Sequence, residues 1–286
     1  MNEVNLWLNL GRDSISSYEA SDDVENVQLL MNLEDSMFFV SLLADDAIGA
    51  SAIYKDTARN AMALLSVRVV PEYRNRVTSH IIKSSLPFFR TVAIREVDCL
   101  VSSAKEDSLP FPIQNTLYSW SEQFLSEHGF SETGFVKIQT FKISKSFPEQ
   151  ISQWDQTPMS KEAQKGLFWK IDVKERQDYS HFWMGIDLCG AAGRLYTISK
   201  DEHCVAVVGA ILYQDQLIIM AMMHDVSEID DSSFASNLFA LAQESGAHSI
   251  SILNLENTRS SFFDHITSIY GEPVKVTTLK LMRKNL

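Results

Sequence analysis

From residue 37 the chain falls into apolar runs of strand length and polar stretches that carry apolar residues at helical spacing. Met37–Leu43 and Ala47–Tyr54 flank Ala44-Asp45-Asp46, the pattern of an antiparallel hairpin, and Ala61–Val69 predicts a third strand. Val70-Pro71-Glu72-Tyr73 turns the chain. Val77, Ile81, Ile82, Leu86 and Phe89 then mark a helix that Pro87 is expected to end or kink. Val97–Val101 reads as a strand. Gln114–His128 reads as a helix with Leu117, Trp120, Phe124 and Leu125 on its apolar face and Gly129 as its stop, and Phe135–Ile143 as a further strand. Upstream, Val24, Val27, Leu30 and Leu33 predict a helix capped by Ser21 or Asp22.

Residues 144–170 change character, with Ser144, Lys145, Ser146 and Pro148 and then Gln153 to Pro158, so a linker is expected near 145–165. His181–Asp187 reads as a strand, followed by a loop with Gly190 and Gly193. Val205–Tyr213 and Leu217–Met223 make a second hairpin around Gln214-Asp215-Gln216. Asp230 or Asp231 caps a helix whose apolar face is Phe234, Leu238, Leu241 and Ala242 and whose stop is Gly246. Ser249–Leu253, Ser260–Ile269 and Val274–Leu281 follow as strand, helix and strand. The element order of the first half thus returns in the second. The expected fold is α/β, with an N-terminal domain over 1–145 and a similar C-terminal domain over 146–286.

A content of 45% hydrophobic residues, with 16 Phe, 8 Tyr and 5 Trp, is enough for sizeable cores and argues against global disorder. The 37 acidic against 25 basic residues give a net charge of −12, which makes a nucleic-acid backbone a poor partner and a basic substrate a better one. Cys99, Cys189 and Cys204 sit among apolar neighbours and read as reduced core residues. The first residues lack the pattern of a secretory signal, and the longest apolar stretch, Leu217–Met223, is of strand length. A cytoplasmic protein without a membrane span is expected. No His, Cys or carboxylate cluster has metal-ligand spacing. Neither a Gly-x-Ser-x-Gly elbow nor a Gly-x-x-x-x-Gly-Lys loop is present, so hydrolase and nucleoside-triphosphatase chemistry has no local support.

The stretch Leu64–Ile82 is the best place for ligand chemistry. A strand that feeds directly into a helix leaves backbone N–H groups at the helix start, and these can hold a phosphate. Arg74 and Arg76 stand there, and at a helix start they are electrostatically misplaced unless an anion is present. Glu72 reads either as a base or as a turn residue. His224, Asp225, Asp230 and Asp231 follow a strand but read as a solvated loop. Phe38, Phe39, Phe88, Phe89, Phe262 and Phe263 are expected to pack in cores.

Laid out this way, the chain resembles the GNAT superfamily of acyl-coenzyme A dependent N-acyltransferases in a tandem form. The family motif, a strand followed by Arg/Gln-x-x-Gly-x-Gly/Ala, falls on Arg74-Asn75-Arg76-Val77-Thr78-Ser79 after Val70-Pro71-Glu72-Tyr73. The resemblance implies two GNAT-like domains, each a mixed, mostly antiparallel sheet flanked by helices. It implies that the strand with Val67 and Val69 pairs with the pantetheine arm of acetyl-CoA or another acyl-CoA. Arg74, Asn75, Arg76, Val77, Thr78 and Ser79 would then hold the pyrophosphate. Transfer to the amine of a small molecule or peptide is the implied activity, and an inactive binding or assembly protein is the alternative. The resemblance implies neither a nucleic-acid nor a membrane partner and leaves room for a homo-oligomer.

The motif departs from the family at Val77, where a glycine is usual, and at Ser79, where Gly or Ala is usual. The acid tyrosine that the family places four residues before its Gly-Phe falls on Leu125, which has no proton to give, and Tyr118 lies nearly two turns earlier, a poor substitute. In the second half no Arg-x-x-Gly pattern follows Leu217–Met223, and acidic residues stand where a pyrophosphate would lie. Leu253-Asn254-Leu255-Glu256-Asn257 and Ile269-Tyr270-Gly271 resemble later family turns.

Overall fold

The computed structural model describes residues 35–43, 46–90, 94–103, 117–143, 153–156, 159–201 and 203–286. The helix expected within 1–33, residues 145–152 and 157–158 of the linker expected near 145–165, and the side chains of Phe38, Phe88 and Phe89 lie outside the described residues; from Lys161 the expected linker is already helical. In chain order the elements are β1 (Ser36–Leu43), β2 (Asp46–Asp56), β3 (Ala61–Val69), α1 (Arg74–Arg90), β4 (Glu96–Ser102), β5 (Leu117–Tyr118), α2 (Glu122–Glu127) and β6 (Ser131–Lys142). They continue as α3 (Lys161–Lys170), α4 (Ser180–Ala191), β7 (Leu195–Lys200), β8 (His203–Tyr213), β9 (Gln216–His224), α5 (Asp231–Glu244), β10 (Ser249–Leu255), α6 (Ser260–Tyr270) and β11 (Lys275–Asn285). By contact the chain forms two units. Unit 1 holds the residues up to Gly134 with Tyr179–Met184 and Leu279–Leu286, and unit 2 holds Phe135–Asp178 and Gly185–Thr278.

In unit 1 the strand order is β1-β2-β3-β4-β11, antiparallel except for the parallel pair β3/β4. β3 is buried along its whole length, which is why it reads as a nearly unbroken apolar run. The amphipathic α1 lays Val77, Ile81 and Ile82 on this sheet, over a core that includes Leu64, Val67, Val69, Val97 and Cys99. Gly49 of β2 permits the approach, since a Cβ there would stand 2.3 Å from Ile81 Cδ1 and 3.1 Å from Val77 Cγ1.

Charged groups fasten the far end of the parallel pair. Arg59 Nη1 lies 3.0 Å from Asp98 and 3.4 Å from Asp56, and Arg283 of β11 reaches Asp98 at 2.8 Å. Glu96 also pairs with Arg59, and Asp98 further accepts the Ser180 N–H at 2.7 Å. Asp56 and Asp98 have fully buried side chains, and the two arginines are what make the Asp98 charge tolerable there.

Unit 2 has the order β7-β8-β9-β10-β6, again antiparallel except for one parallel pair, β9/β10. Its core gathers Ile219, Phe234, Leu238, Ile250, Ile252, Phe262 and Ile266. A second agreement is finer. In unit 1, Ala52 opposes Ser66 and Ile53 opposes Leu64, so Leu65 is an extra residue in β3; in unit 2, Gly209 opposes Ala221 and Ala210 opposes Ile219, so Met220 is extra in β9. Each bulge lies just past the point where the parallel pairing stops, at Ala63/Asp98 and at Ile219/Ile252. A bulge bends its strand and increases local twist, so the two parallel strands part beyond it.

Several expectations change. Residues 181–187 belong to helix α4, not to a strand: almost every residue there is buried, so the run is apolar on all sides and carries no period to tell helix from strand. Strand β7 was not anticipated. α1 continues past Pro87 to Arg90 instead of ending there. The helix expected over 114–128 begins at Glu122, and Leu117 and Tyr118 are extended. Cys99 and Cys189 are buried free thiols, as expected, whereas Cys204, expected in a core, is a free thiol only partly buried near the start of β8. Phe262 and Phe263 pack in the core of unit 2, and Phe39 packs partly buried against that of unit 1.

Candidate functional site

The corner between β3 and α1 starts from a turn rather than from open loop. Pro71–Tyr73 is one turn of 3₁₀ helix; the Tyr73 N–H bonds to Val70 O at 2.8 Å and the Arg74 N–H to Pro71 O, so the first helical donors are partly used within the turn. The first turn of α1 has no acidic residue. Glu72, Asn75 and Arg76 are exposed, and Arg74 is half-buried with its guanidinium 4.4 Å from the ring centre of Trp120. Val77 turns toward the sheet and Gly49. Thr78 is fully buried, its hydroxyl without a hydrogen-bond partner among the described residues, and Ser79 Oγ lies 2.8 Å from His128 Nε2. Val67 and Val69 are core residues on β3.

Between the separated ends of β3 and β4 runs β5. It pairs in parallel with β4 at Val101↔Leu117 and Ser102↔Tyr118. β11 pairs with β4 from Glu96 to Ser102 on its other side, so β5 lies on the side that faces β3. Leu117 is fully buried and Tyr118 nearly so, and the buried Arg68 of β3 sets its guanidinium 4.4 Å from the centre of the Tyr118 ring. Ser121 Oγ donates to Tyr118 O at 2.7 Å. Tyr118 is therefore a residue of the gap, not of the helix where its spacing had put it.

In unit 2 the matching corner, between β9 and α5, is filled by its own carboxylates. Asp230 caps α5 by accepting the Ser233 N–H at 2.8 Å, which holds its carboxyl below the usual range. Asp225 accepts the N–H and hydroxyl of Ser227 at 3.0 and 2.6 Å. His224 is buried, not in a solvated loop as its neighbours suggest, and stacks on Phe234 with ring centres 4.0 Å apart. Its Nδ1 meets an Arg259 guanidinium nitrogen, and its Nε2 lies 3.1 Å from Asp231 Oδ1. A guanidinium can only donate, so Nδ1 accepts and the ring proton sits on Nε2 toward the carboxylate.

Burial pushes His224 down to about 4, with the Arg259 charge acting in the same sense, so the ring is neutral near pH 7. The hydrogen bond from His224 brings Asp231 to about 2. Burial lowers Arg259 to about 10, still charged. Arg259 also has a left-handed backbone, φ 56°, and its N–H is held by Glu175 Oε2 at 2.5 Å. Where β10 parts from β9, Gln177 Oε1 accepts the Leu255 N–H at 2.7 Å while its amide nitrogen donates to Asn254 Oδ1 and Thr258 Oγ1.

Structural likeness is clear where sequence likeness is slight. The chain is similar to a GCN5-related N-acetyltransferase from Sphaerobacter thermophilus, with a TM-score of 0.55 at 10% identity over 93% of this chain and 86% of that one. It is similar to a tandem GNAT protein from the clavulanic acid biosynthesis pathway, with a TM-score of 0.56 at 11% identity over 99% and 94%. A Pyrococcus horikoshii protein carrying a provisional acetyltransferase designation gives a TM-score of 0.61 at 12% identity over 99% and 86%. No family model matches the chain, and no curated protein matches it. The fold is that of the GNAT acetyltransferases.

The expected residues Arg74, Asn75, Arg76, Val77, Thr78 and Ser79 all lie on the first turns of α1, with Glu72 just before them. Arg68, Trp120, Gln177, Glu175 and Arg259 were not expected to matter. Arg68 alone gave a signal, a lone charge in the middle of an apolar strand. Among the described residues no group of His, Cys, Asp and Glu could hold a metal ion, and no helix is long and apolar enough to cross a membrane.

Proposed function

We propose that the chain is an acyl-CoA-dependent N-acyltransferase of the tandem GNAT type, with unit 1 as its donor-binding half. The sequence halves 1–145 and 146–286 are then two copies of one domain, each ending in a strand, β6 or β11, that pairs in the unit built mainly from the other half. The observation that carries this reading is the parting of β3 from β4 at the Leu65 bulge, next to a helix start that bears Arg74 and Arg76 and no acid in its first turn. Unit 2 has the same parting, but Asp230 and Asp231 stand at its helix start and repel an incoming phosphate.

The corner of unit 1 fits an anion such as a pyrophosphate, with Arg74, Arg76 and Asn75 on hand. The gap beside it does not fit a pantetheine arm while β5 lies in it, so no step of acyl transfer is derived for this conformation. Acyl-CoA, when bound, supplies a thioester carbonyl. The candidates for proton transfer to and from the amine of a small molecule or peptide are Tyr118, which lies in the gap, as acid and Glu72, exposed in the turn before α1, as base. The filled gaps favour a second reading, a non-catalytic binding or assembly protein that keeps the fold alone.

Calorimetric titration with coenzyme A and acetyl-CoA separates the two. Arg76→Ala is the informative variant, because Arg74 also holds Trp120. The donor reading expects binding that weakens about tenfold in Arg76→Ala, the scale of one charge-assisted contact. Unchanged affinity moves the site out of unit 1.

A further inference from the structure

We infer that the segment Leu117–Ser121 is a built-in plug of the unit 1 groove, which mimics the donor's arm and competes with it for the same arginine. The inference rests on the donor-groove reading above. The plug has the geometry of an added strand: two residues paired in parallel with the edge of β4, in the space that opens once β3 and β4 stop pairing at Ala63/Asp98. A pantetheine arm is a chain of secondary amides, and it uses a strand edge as a peptide does. The arm would run along β3 and the plug runs along β4, but both fill the one gap that opens beyond Ala63/Asp98, so they cannot lie there together.

The plug is anchored at both ends by arginines of the groove. Arg68 of β3 lies on Tyr118, and Arg74 at the start of α1 lies on Trp120, each at 4.4 Å from the ring centre. Arg74 is one of the groups proposed to hold the pyrophosphate. While it stacks on Trp120, its charge is held against the plug, so opening the gap and freeing the phosphate contact are one event.

The plug is also lightly held by backbone. Its ladder with β4 spans two positions, and the buried Leu117 side chain, the two stacked rings and the Ser121 hydroxyl add to its grip. A ligand that binds only the open state has its apparent affinity reduced by the fraction of molecules that are open. Loosening the plug therefore tightens coenzyme A without adding any contact to it.

The test compares coenzyme A binding to the full chain with that to Trp120→Ala and to Tyr118→Ala/Trp120→Ala, each checked for folding by thermal melting. Hydrogen exchange of the unaltered chain is followed with and without coenzyme A. The expected result is at least tenfold tighter binding in the variants, with exchange at Leu117 and Tyr118 accelerated by coenzyme A and exchange at Val67–Val69 slowed. Equal affinity in all three proteins, with exchange at Leu117 and Tyr118 unchanged on binding, overturns the plug and leaves the donor reading standing. No binding to any of them, with the variants folded, overturns the donor reading and the plug with it. If the double variant fails to fold, Trp120→Ala and the exchange experiment decide.

Discussion

The turn from β3 into α1 and the turn from β9 into α5 are the same piece of backbone put to two uses. Both follow a bulged strand that has just parted from its parallel neighbour, and both start a helix over the same kind of core. In unit 1 the helix start carries Arg74 and Arg76, and the 3₁₀ turn that leads into it is entered at Val70 without a side-chain cap; in unit 2 Asp230 closes on the Ser233 N–H and Asp231 binds His224 and Ser261. A helix start attracts negative charge in either case. Unit 2 supplies that charge at the cap itself, whereas in unit 1 the nearest acid is the exposed Glu72 of the preceding 3₁₀ turn and the first turn of α1 has none. The frame of the fold thus leaves open whether such a corner can take an outside anion, and one or two side chains decide it.

The difference extends to how each unit handles buried charge, and the largest predicted effect lies there. In unit 1 the fully buried Asp98 carboxylate is shared by Arg59 and Arg283, whose charges hold it below the usual range against the cost of burial. Asp98→Ala takes from Arg59 and Arg283 the fully buried one of the two carboxylates they share, leaving them Glu96, and is expected to cost about 3 kcal/mol. Urea denaturation measures this, and exchange at β4 and β11 amides should rise more than at β9 and β10. A loss below about 1 kcal/mol would mean that the network is not what holds β11 to β4.

Asp56, in the same network, behaves oppositely. Burial raises its carboxyl to about 7, from an ordinary value of 3.8, and the neighbouring Asp98 adds to the rise. Below the ordinary value it is protonated whether or not the chain is folded. As the pH climbs toward 7 the unfolded chain gives up this proton and the folded chain retains it, so stability falls with rising pH, by up to about 4 kcal/mol over the whole window. Asp56→Asn removes the titration. Melting temperatures at pH 5 and pH 8 should therefore drop more in the unaltered protein than in the variant, and equal drops would place the proton elsewhere.

How much of this could be read from the chain depends on where the information resides. Strand β3, the hairpin of β8 and β9 and the Asp230-capped helix are local patterns, and their residues state them openly. The helix over 181–187 was misread because burial on every side erases its period. Nothing local announces that Lys275–Asn285 pairs with β4 or that Ser131–Lys142 pairs with β10, since such pairings are set by partners more than a hundred residues away. The corner at Arg74 was legible from its motif. Its occupant was not, because Leu117 and Tyr118 carry an apolar spacing that suits a helix equally well, and only their place beside β4 makes them extended.

A smaller effect sharpens the comparison at the two bulges. In unit 2 the Met220 bulge is covered by α4 at Gly185, where a Cβ would come within 3.0 Å of Met220 Cβ and 3.1 Å of its carbonyl oxygen. Backbone cannot swing aside as a side-chain end can, so Gly185→Ala is expected to destabilise by about 1–3 kcal/mol. Chemical denaturation gives the value. A neutral substitution would show that α4 can lift from the bulge.

The smallest effect tests the cap itself. Asp230→Ala removes the carboxylate that satisfies the Ser233 N–H and exposes one helical donor, at a cost of about 1 kcal/mol. Asp230→Asn keeps an oxygen that can accept the same bond but removes the charge, so it should recover most of the loss if capping is geometric. If Asn is as harmful as Ala, the negative charge matters more than the bond. The corner of unit 2 would then be an anion site with its anion attached, and the likeness between the two corners would be chemical as well as geometric.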